Sequence, residues 1–278
     1  MISNTDIADY YNQTLNHYQT WWKLDRVMAL HYGISDAGTK SFAEELMNTN
    51  RILADMAGLK AGERVLDAGC GVGGSLFYMA RQYNIQGVGC TLSEKQLKYA
   101  KKKAKQDHLE QAIQFKNQDF CHTGFTDESF DVIWALESLN HLADLHDFAA
   151  ETFRLLKPGG RAVLAFYHST TEFDTKAYLQ KWMDTWGMAS ILFTETYVNQ
   201  LENAGFKITQ IKDVTSAIFP TARRMYRASL LGALPSVLYN ASHHTSRYAR
   251  NHFKAGLYQY KALKRNLWRY KIIRVDKR

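Results

Sequence analysis

The chain has 278 residues, 46% hydrophobic and 22% charged, which is long enough for one well-buried core with substantial elaboration. No run reaches the ~18 apolar residues of a membrane span, the start Met1-Ile-Ser-Asn-Thr-Asp6 lacks a secretory leader's basic and apolar regions, and the three cysteines (70, 90, 121) lack zinc-type spacing, so a cytoplasmic enzyme is expected. Net charge is +8, but from Ala217 onward fourteen Lys or Arg face one acid, Asp276, so that stretch carries +13 and residues 1–216 carry −5.

In chain order, residues 1–50 are rich in aromatic side chains, among them Tyr10, Tyr11, Tyr18, Trp21, Trp22 and Tyr32. Arg64-Val-Leu-Asp-Ala68 then reads as a buried strand running into a loop with glycines at 69, 71, 73 and 74, and residues 75–82 have helical composition. A strand, a glycine loop and a helix N-terminus together form a cradle for an extended, partly anionic ligand. The glycines match the G-x-G-x-x-G pattern of dinucleotide folds, which also require an acid about twenty positions on. The second strand, at about 86–91, ends in Cys90 and Thr91 instead. Ser93-Glu-Lys-Gln96 reads as a capping box opening the next helix.

Further strands are predicted at about 113–117, 130–136, 161–168, 206–215 and 266–275, with helices between them, which implies a mostly parallel sheet covered on both faces. Glu137 emerges from the fourth strand, and a carboxylate there is costly unless employed, as a general base or to stabilise a developing cation. His141, four residues on, reads as a helix-start histidine near the same place. Arg223, Arg224 and Arg227 can share one helix face and offer an anion site.

With Asp67 two residues before the first glycine, the loop reads V-L-D-x-G-x-G-x-G and resembles motif I of the class I S-adenosylmethionine (SAM)-dependent methyltransferases. The resemblance continues in Asn117-Gln-Asp-Phe120, similar to the site for adenine, in Phe130-Asp-Val-Ile-Trp134, and in the turn Leu155-Leu-Lys-Pro-Gly-Gly-Arg161. Thr91-Leu-Ser-x-x-Gln96 resembles the segment of cyclopropane-fatty-acid synthases and geranyl diphosphate C-methyltransferase in which the Thr/Leu backbone and the Gln approach the cofactor. Gln96 then stands in for the acidic ribose ligand that other methyltransferases carry at position 90. Glu137-Ser138, Asp144-Leu-His-Asp-x-x-x-Glu151 and Arg154-Leu-Leu-Lys resemble the sterol and terpenoid C-methyltransferases, and His31-Tyr-Gly33 is similar to the segment before the core in sterol and tocopherol methyltransferases.

The resemblance implies an α/β, doubly wound Rossmann-like fold with a seven-stranded sheet whose last strand is antiparallel. It divides the chain into an N-terminal helical cap, 1–50, and a SAM-binding core, 51–278, with lid insertions at about 170–195 and 217–262. SAM is the implied cofactor, held by Asp67, Gly69, Gly71, Thr91, Leu92, Gln96, Asp119, Phe120 and Glu137, with Glu137, His141, Tyr11 and Trp22 as the catalytic candidates. Gly73 and Gly74 are read as permitting close helix packing. The expected reaction is carbon methylation of an isoprenoid alkene through a carbocation held by Glu137 and aromatic faces. A diphosphate on the acceptor would be gripped by Arg223, Arg224 and Arg227, and transient contact with a membrane surface suits the same charge. The alternative is N- or O-methylation of a small amine or phenol, with lipid cyclopropanation behind it. No nucleic-acid partner is expected, since no RNA module is recognisable, and no metal, since His243, His244 and His252 lack partnered carboxylates. The oligomeric state stays open.

Overall fold

Near-continuous apolar runs at 64–68 and 130–136, and Ile272, Ile273 and Val275 in the last strand, build the centre of one sheet. The structure, a computed structural model, describes residues 3–22, 24–172, 174–242 and 247–278, and of these the side chains at 16, 17, 20–22, 239, 242 and 247–249 lie outside the description. The strands are β1 (Arg64–Ala68), β2 (Gln86–Thr91), β3 (Ile113–Asn117), β4 (Phe130–Leu136), β5 (Leu156–Ser169), β6 (Lys207–Asp213) and β7 (Trp268–Asp276), ordered β3-β2-β1-β4-β5-β7-β6. The first five are parallel, and β7 runs antiparallel to both β5 and β6. The first four strands match the predicted spans. β5 starts five residues early, because Phe130 pairs with Leu156 before a register shift absorbs Lys157–Gly160, with Gly159 at φ 75°.

Ahead of the sheet stand α1 (Asn4–Trp22), α2 (Leu24–Val27) and α3 (Phe42–Ala57). Ser41 caps α3 by accepting from the Glu44 N–H, and Gly58 ends it in the left-handed conformation. Within the sheet, α4 (Gly74–Tyr83) follows β1, α5 (Glu94–Gln106) follows β2, and α6 (His146–Leu155) joins β4 to β5. The insertion after β5 holds α7 (Tyr178–Trp186) and α8 (Thr194–Asn203), and that before β7 holds α9 (Phe219–Ser242) and α10 (Arg247–Lys264).

Strand alternation sorts the core into two layers. Val65, Val132, Trp134 and Val163 face Leu53 of α3, Leu76 of α4 and Ala262 of α10. Leu66, Ile133, Ala135 and Leu164 face Phe148 of α6 and Leu201 of α8. The strand order reverses between β1 and β4, which leaves a crevice beyond their carboxyl ends, and the residues singled out above cluster there.

Candidate active site

A pocket with about 1160 Å³ of empty volume, counted out to its mouth, opens at this crevice. Asp67, Gly69, Gly71, Thr91, Leu92, Gln96, Asp119, Phe120, Glu137, His141 and Tyr11 all line it. Trp22 closes α1, and its side chain lies outside the described residues.

The half nearer β1–β3 is built largely from backbone. Gly69 sits at φ 87°, and a Cβ there would overlap Ser138, so the turn that presents this loop admits only glycine. Gly74 opens α4 so close under the Met28 carbonyl that any side chain would collide with it. Asp67 is buried and lines the pocket, makes no hydrogen bond or ion pair with another described residue, and is pushed up to about 8 by burial alone. A buried carboxylate in that state suits a cationic group of a ligand. Half of the predicted capping box is made: Ser93 Oγ accepts from the Gln96 N–H at 3.2 Å, while the Gln96 side-chain carbonyl turns away and accepts from Thr91 Oγ1 at 2.8 Å. That fixes the Gln96 amide in the pocket wall. Asp119 Oδ1 accepts from the Cys121 N–H at 2.8 Å and Oδ2 from Asn4 Nδ2 at 2.8 Å, which ties the start of α1 across the pocket. The donors, the carboxylates and the glycine cradle suit a ligand with an ammonium end and a polar ring end.

The opposite half is built from side chains distant in sequence. Glu137 follows β4 at φ 56°, a conformation rare for a residue with a side chain and one that turns its carboxylate into the protein. Oε1 accepts from the Tyr32 N–H at 2.6 Å and the Tyr270 hydroxyl at 2.8 Å, and Oε2 accepts from the Tyr167 hydroxyl. Tyr167 and Tyr270 are directly opposed partners on β5 and β7, so the antiparallel register aims both hydroxyls at one carboxylate. Burial raises Glu137 to about 7, against the lowering effect of those three donors. Around it Tyr167 stacks on Trp186 at 6.1 Å, with Tyr32, Trp182 and Trp268 packed edge-on or tilted behind.

His141 ends a short 3-10 turn (Leu139–His141). Its Nδ1 lies 2.6 Å from the Gly187 carbonyl, which can only accept, so Nδ1 carries the proton and Nε2 is the free base. The Tyr11 hydroxyl donates to that Nε2 at 2.8 Å. Burial holds the imidazole below its ordinary pKa, opposed by the bond to Gly187, so it is neutral at physiological pH.

Comparison with known proteins bears on this arrangement. Residues 66–164 match the family model described as a methyltransferase domain. The methyltransferase GfsG of Streptomyces halstedii is 30% identical over 220 residues, covering 78% of each chain. The 27-O-demethylrifamycin SV methyltransferase of Amycolatopsis mediterranei is 30% identical over 194 residues, 69% of this chain and 71% of that one. The chain belongs to the class I SAM-dependent methyltransferases. The fold agrees: geranyl diphosphate C-methyltransferase from Streptomyces coelicolor superposes with a TM-score of 0.76 at 19% identity, over 99% of this chain and 97% of that one.

Several features of this methyltransferase escape a reading by motif. Tyr167 and Tyr270 as donors to Glu137 follow from strand pairing, although both fall within the predicted strands. Asn140 lies inside the Glu137–His141 motif, and it clamps β5 by accepting from the Tyr167 N–H at 2.9 Å and donating to the Tyr167 and Ser190 carbonyls. Of the aromatic side chains, Tyr11, Tyr18 and Trp186 line the pocket, whereas Tyr10, Tyr32 and Trp182 stand behind its wall and Tyr197 packs under β5, bonding the Leu192 N–H. The side chain of Trp21, like that of Trp22, lies outside the described residues. Arg223, Arg224 and Arg227 are exposed on α9 and absent from the pocket lining, which contains no Lys or Arg among the described residues. Arg224 lies over the Phe42 ring at 4.5 Å and 3.7 Å from Glu45.

Proposed function

We propose that this methyltransferase transfers the methyl group of SAM to a hydroxyl of a neutral, bulky and largely apolar acceptor, with His141 as general base. The observation that carries the reading is the unprotonated Nε2 of a neutral imidazole, oriented by the Gly187 carbonyl and facing the pocket, where it accepts from the Tyr11 hydroxyl. SAM, when bound, supplies a methyl group activated by its sulfonium charge. Asp67 and Asp119 are proposed to hold its two polar ends, with the glycine loop, Thr91, Leu92, Gln96 and Phe120 forming the cradle. The acceptor hydroxyl takes the place that the Tyr11 hydroxyl fills at Nε2. His141 accepts the hydroxyl proton while the acceptor oxygen gains the methyl and the bond from that methyl to sulfur breaks. Positioning of oxygen against methyl supplies the rest of the acceleration. The relative named as a 27-O-demethylrifamycin SV methyltransferase supports an oxygen acceptor of this kind.

A second reading, carbon methylation of an isoprenoid alkene, draws on one specific observation: Glu137 and the rings of Tyr167 and Trp186 bring negative charge and π faces to the same pocket, the setting a carbocation needs. A diphosphate on that acceptor is disfavoured by a lining without Lys or Arg among the described residues, and an uncharged isoprenoid suits it better. The test is product mass spectrometry with methyl-deuterated SAM and a panel of macrolide-type alcohols, phenols, prenyl alcohols, prenyl diphosphates and sterols. Label on oxygen, lost in His141→Ala, supports the first reading. Label on carbon, with activity retained in His141→Ala and lost in Glu137→Gln, overturns it in favour of the second.

A further inference from the structure

The second half of α9 turns aliphatic side chains to solvent. Leu231, Leu234 and Leu238 are 74%, 67% and 61% exposed, and Leu230 and Val237 are 52% and 54% exposed. At ~100° per residue these five fall with Arg223 and Arg227 inside an arc of about 120°, so two exposed arginines continue the same stripe toward the helix start. Single exposed leucines are ordinary on a soluble protein, but a contiguous aliphatic stripe marks a surface that meets something apolar. The partner must also be anionic. Residues 219–264, which include all of α9 and α10, contain no Asp or Glu. A second copy packed on this face by a two-fold axis would set arginine against arginine with no carboxylate to relieve it. An anionic bilayer surface offers acyl chains to the leucines and phosphates to the arginines.

We propose that α9 is an interfacial docking helix by which the protein lies on an anionic membrane surface, Leu230, Leu231, Leu234 and Val237 entering the acyl boundary and Arg223 and Arg227 meeting the headgroups. Among the described residues no helix is long and apolar enough to cross a membrane, which fits a helix that lies in the interface plane. The start of α9 and the neighbouring α10 pack against residues at and behind the pocket wall. Thr221 near the start of α9 donates to Glu45 at 2.7 Å, and on the neighbouring α10 the His252 ring meets the Tyr10 hydroxyl at 3.0 Å and the pocket-lining Tyr18 ring at 5.3 Å. The inference stands whichever acceptor atom is methylated.

The test is co-sedimentation of the full chain with vesicles of phosphatidylcholine alone and of an equal mixture with phosphatidylglycerol. Binding to the mixed vesicles, weakened by salt and scarcely seen with neutral ones, is the expected result. Leu231→Gln with Leu234→Gln lowers that binding about tenfold, and Arg223→Gln and Arg227→Gln about fivefold each. Because these side chains are exposed, SAM affinity by calorimetry stays at the wild-type value, which separates lost docking from lost folding. Failure to sediment with either vesicle overturns the proposal. So does binding that needs the arginines but not the leucines, which is electrostatic adsorption without entry of the helix into the acyl boundary, and so does a dimer by light scattering that the leucine substitutions split without changing sedimentation.

Discussion

The two halves of the pocket are made from different kinds of chain. The half nearer β1–β3, proposed for the cofactor, comes largely from one stretch, residues 67–120, in which β1 and β2 each deliver a loop that opens a helix and β3 delivers the turn that carries Asp119. The opposite half, proposed for the acceptor, gathers Tyr11 from α1, Tyr32 from the connection before α3, Glu137 and His141 from beyond β4, Tyr167 from β5, Gly187 from the end of α7 and Tyr270 from β7. Ligand recognition in the first half rests on backbone conformation and needs few side chains. In the second it rests on long-range hydrogen bonds that exist only once the sheet has closed. Substitutions should therefore divide cleanly, changing SAM binding in one half and turnover in the other.

The largest expected effect is on turnover. His141→Ala should lower kcat about a thousandfold with SAM affinity unchanged, the range of a lost general base. At saturating SAM the acid limb of the pH profile should fall below 6.5, because burial lowers the imidazole pKa and the base is lost only when protonated. A limb near 7 instead, the value to which Glu137 is raised, would show that an ionised Glu137 limits the rate and would blur the division. Next comes Gly69→Ala, which should weaken SAM about a hundredfold in calorimetry, since the left-handed φ and the overlap with Ser138 both oppose a Cβ. If Gly69→Ala instead leaves SAM affinity intact and lowers only kcat, the comparison fails.

Smaller effects sharpen the contrast. Asp67→Asn should weaken SAM about tenfold to thirtyfold by removing a buried carboxylate from a ligand cation. Tyr270→Phe should leave SAM affinity unchanged but cost about 1–3 kcal/mol of folding stability, since Glu137 loses a donor. The sign is checkable: the ionised carboxylate depends on that donor, so the loss seen in thermal melts is larger at about pH 8 than at about pH 6, on either side of the Glu137 pKa. Equal losses at both pH values would mean that the hydroxyl serves packing rather than the carboxylate.

Legibility in the sequence follows the same division. Four strands are legible to the residue because each is a short apolar or alternating run bounded by polar or turn residues, a local property, and the glycine loop is legible because only glycine tolerates its φ values and contacts. The sequence reads β5 as short, since Pro158-Gly159-Gly160 has turn composition, and the segment joins the strand only because Leu156 pairs with Phe130 and the backbone of Gly159 and Gly160 bonds Lys277 just past β7. Glu137 and His141 were visible as residues of the right chemistry leaving a buried strand. Their partners were not, since a tyrosine donor on β7 is 133 positions from its acceptor. The basic cluster at 223–227 suggested an anion grip on the acceptor, yet the helix that carries it turns those side chains to solvent outside the pocket lining.

By itself, then, the sequence determined the elements, the glycine cradle with Asp67 beneath it, and the class of cofactor, because hydrophobic period and allowed backbone angles are properties of neighbouring residues. Only the tertiary structure decided that Glu137 is held by two opposed tyrosines, that Gly187 sets the tautomer of His141, and that the pocket lining carries no Lys or Arg among the described residues. Those are properties of strand register and helix placement, which bring together groups that no local pattern relates.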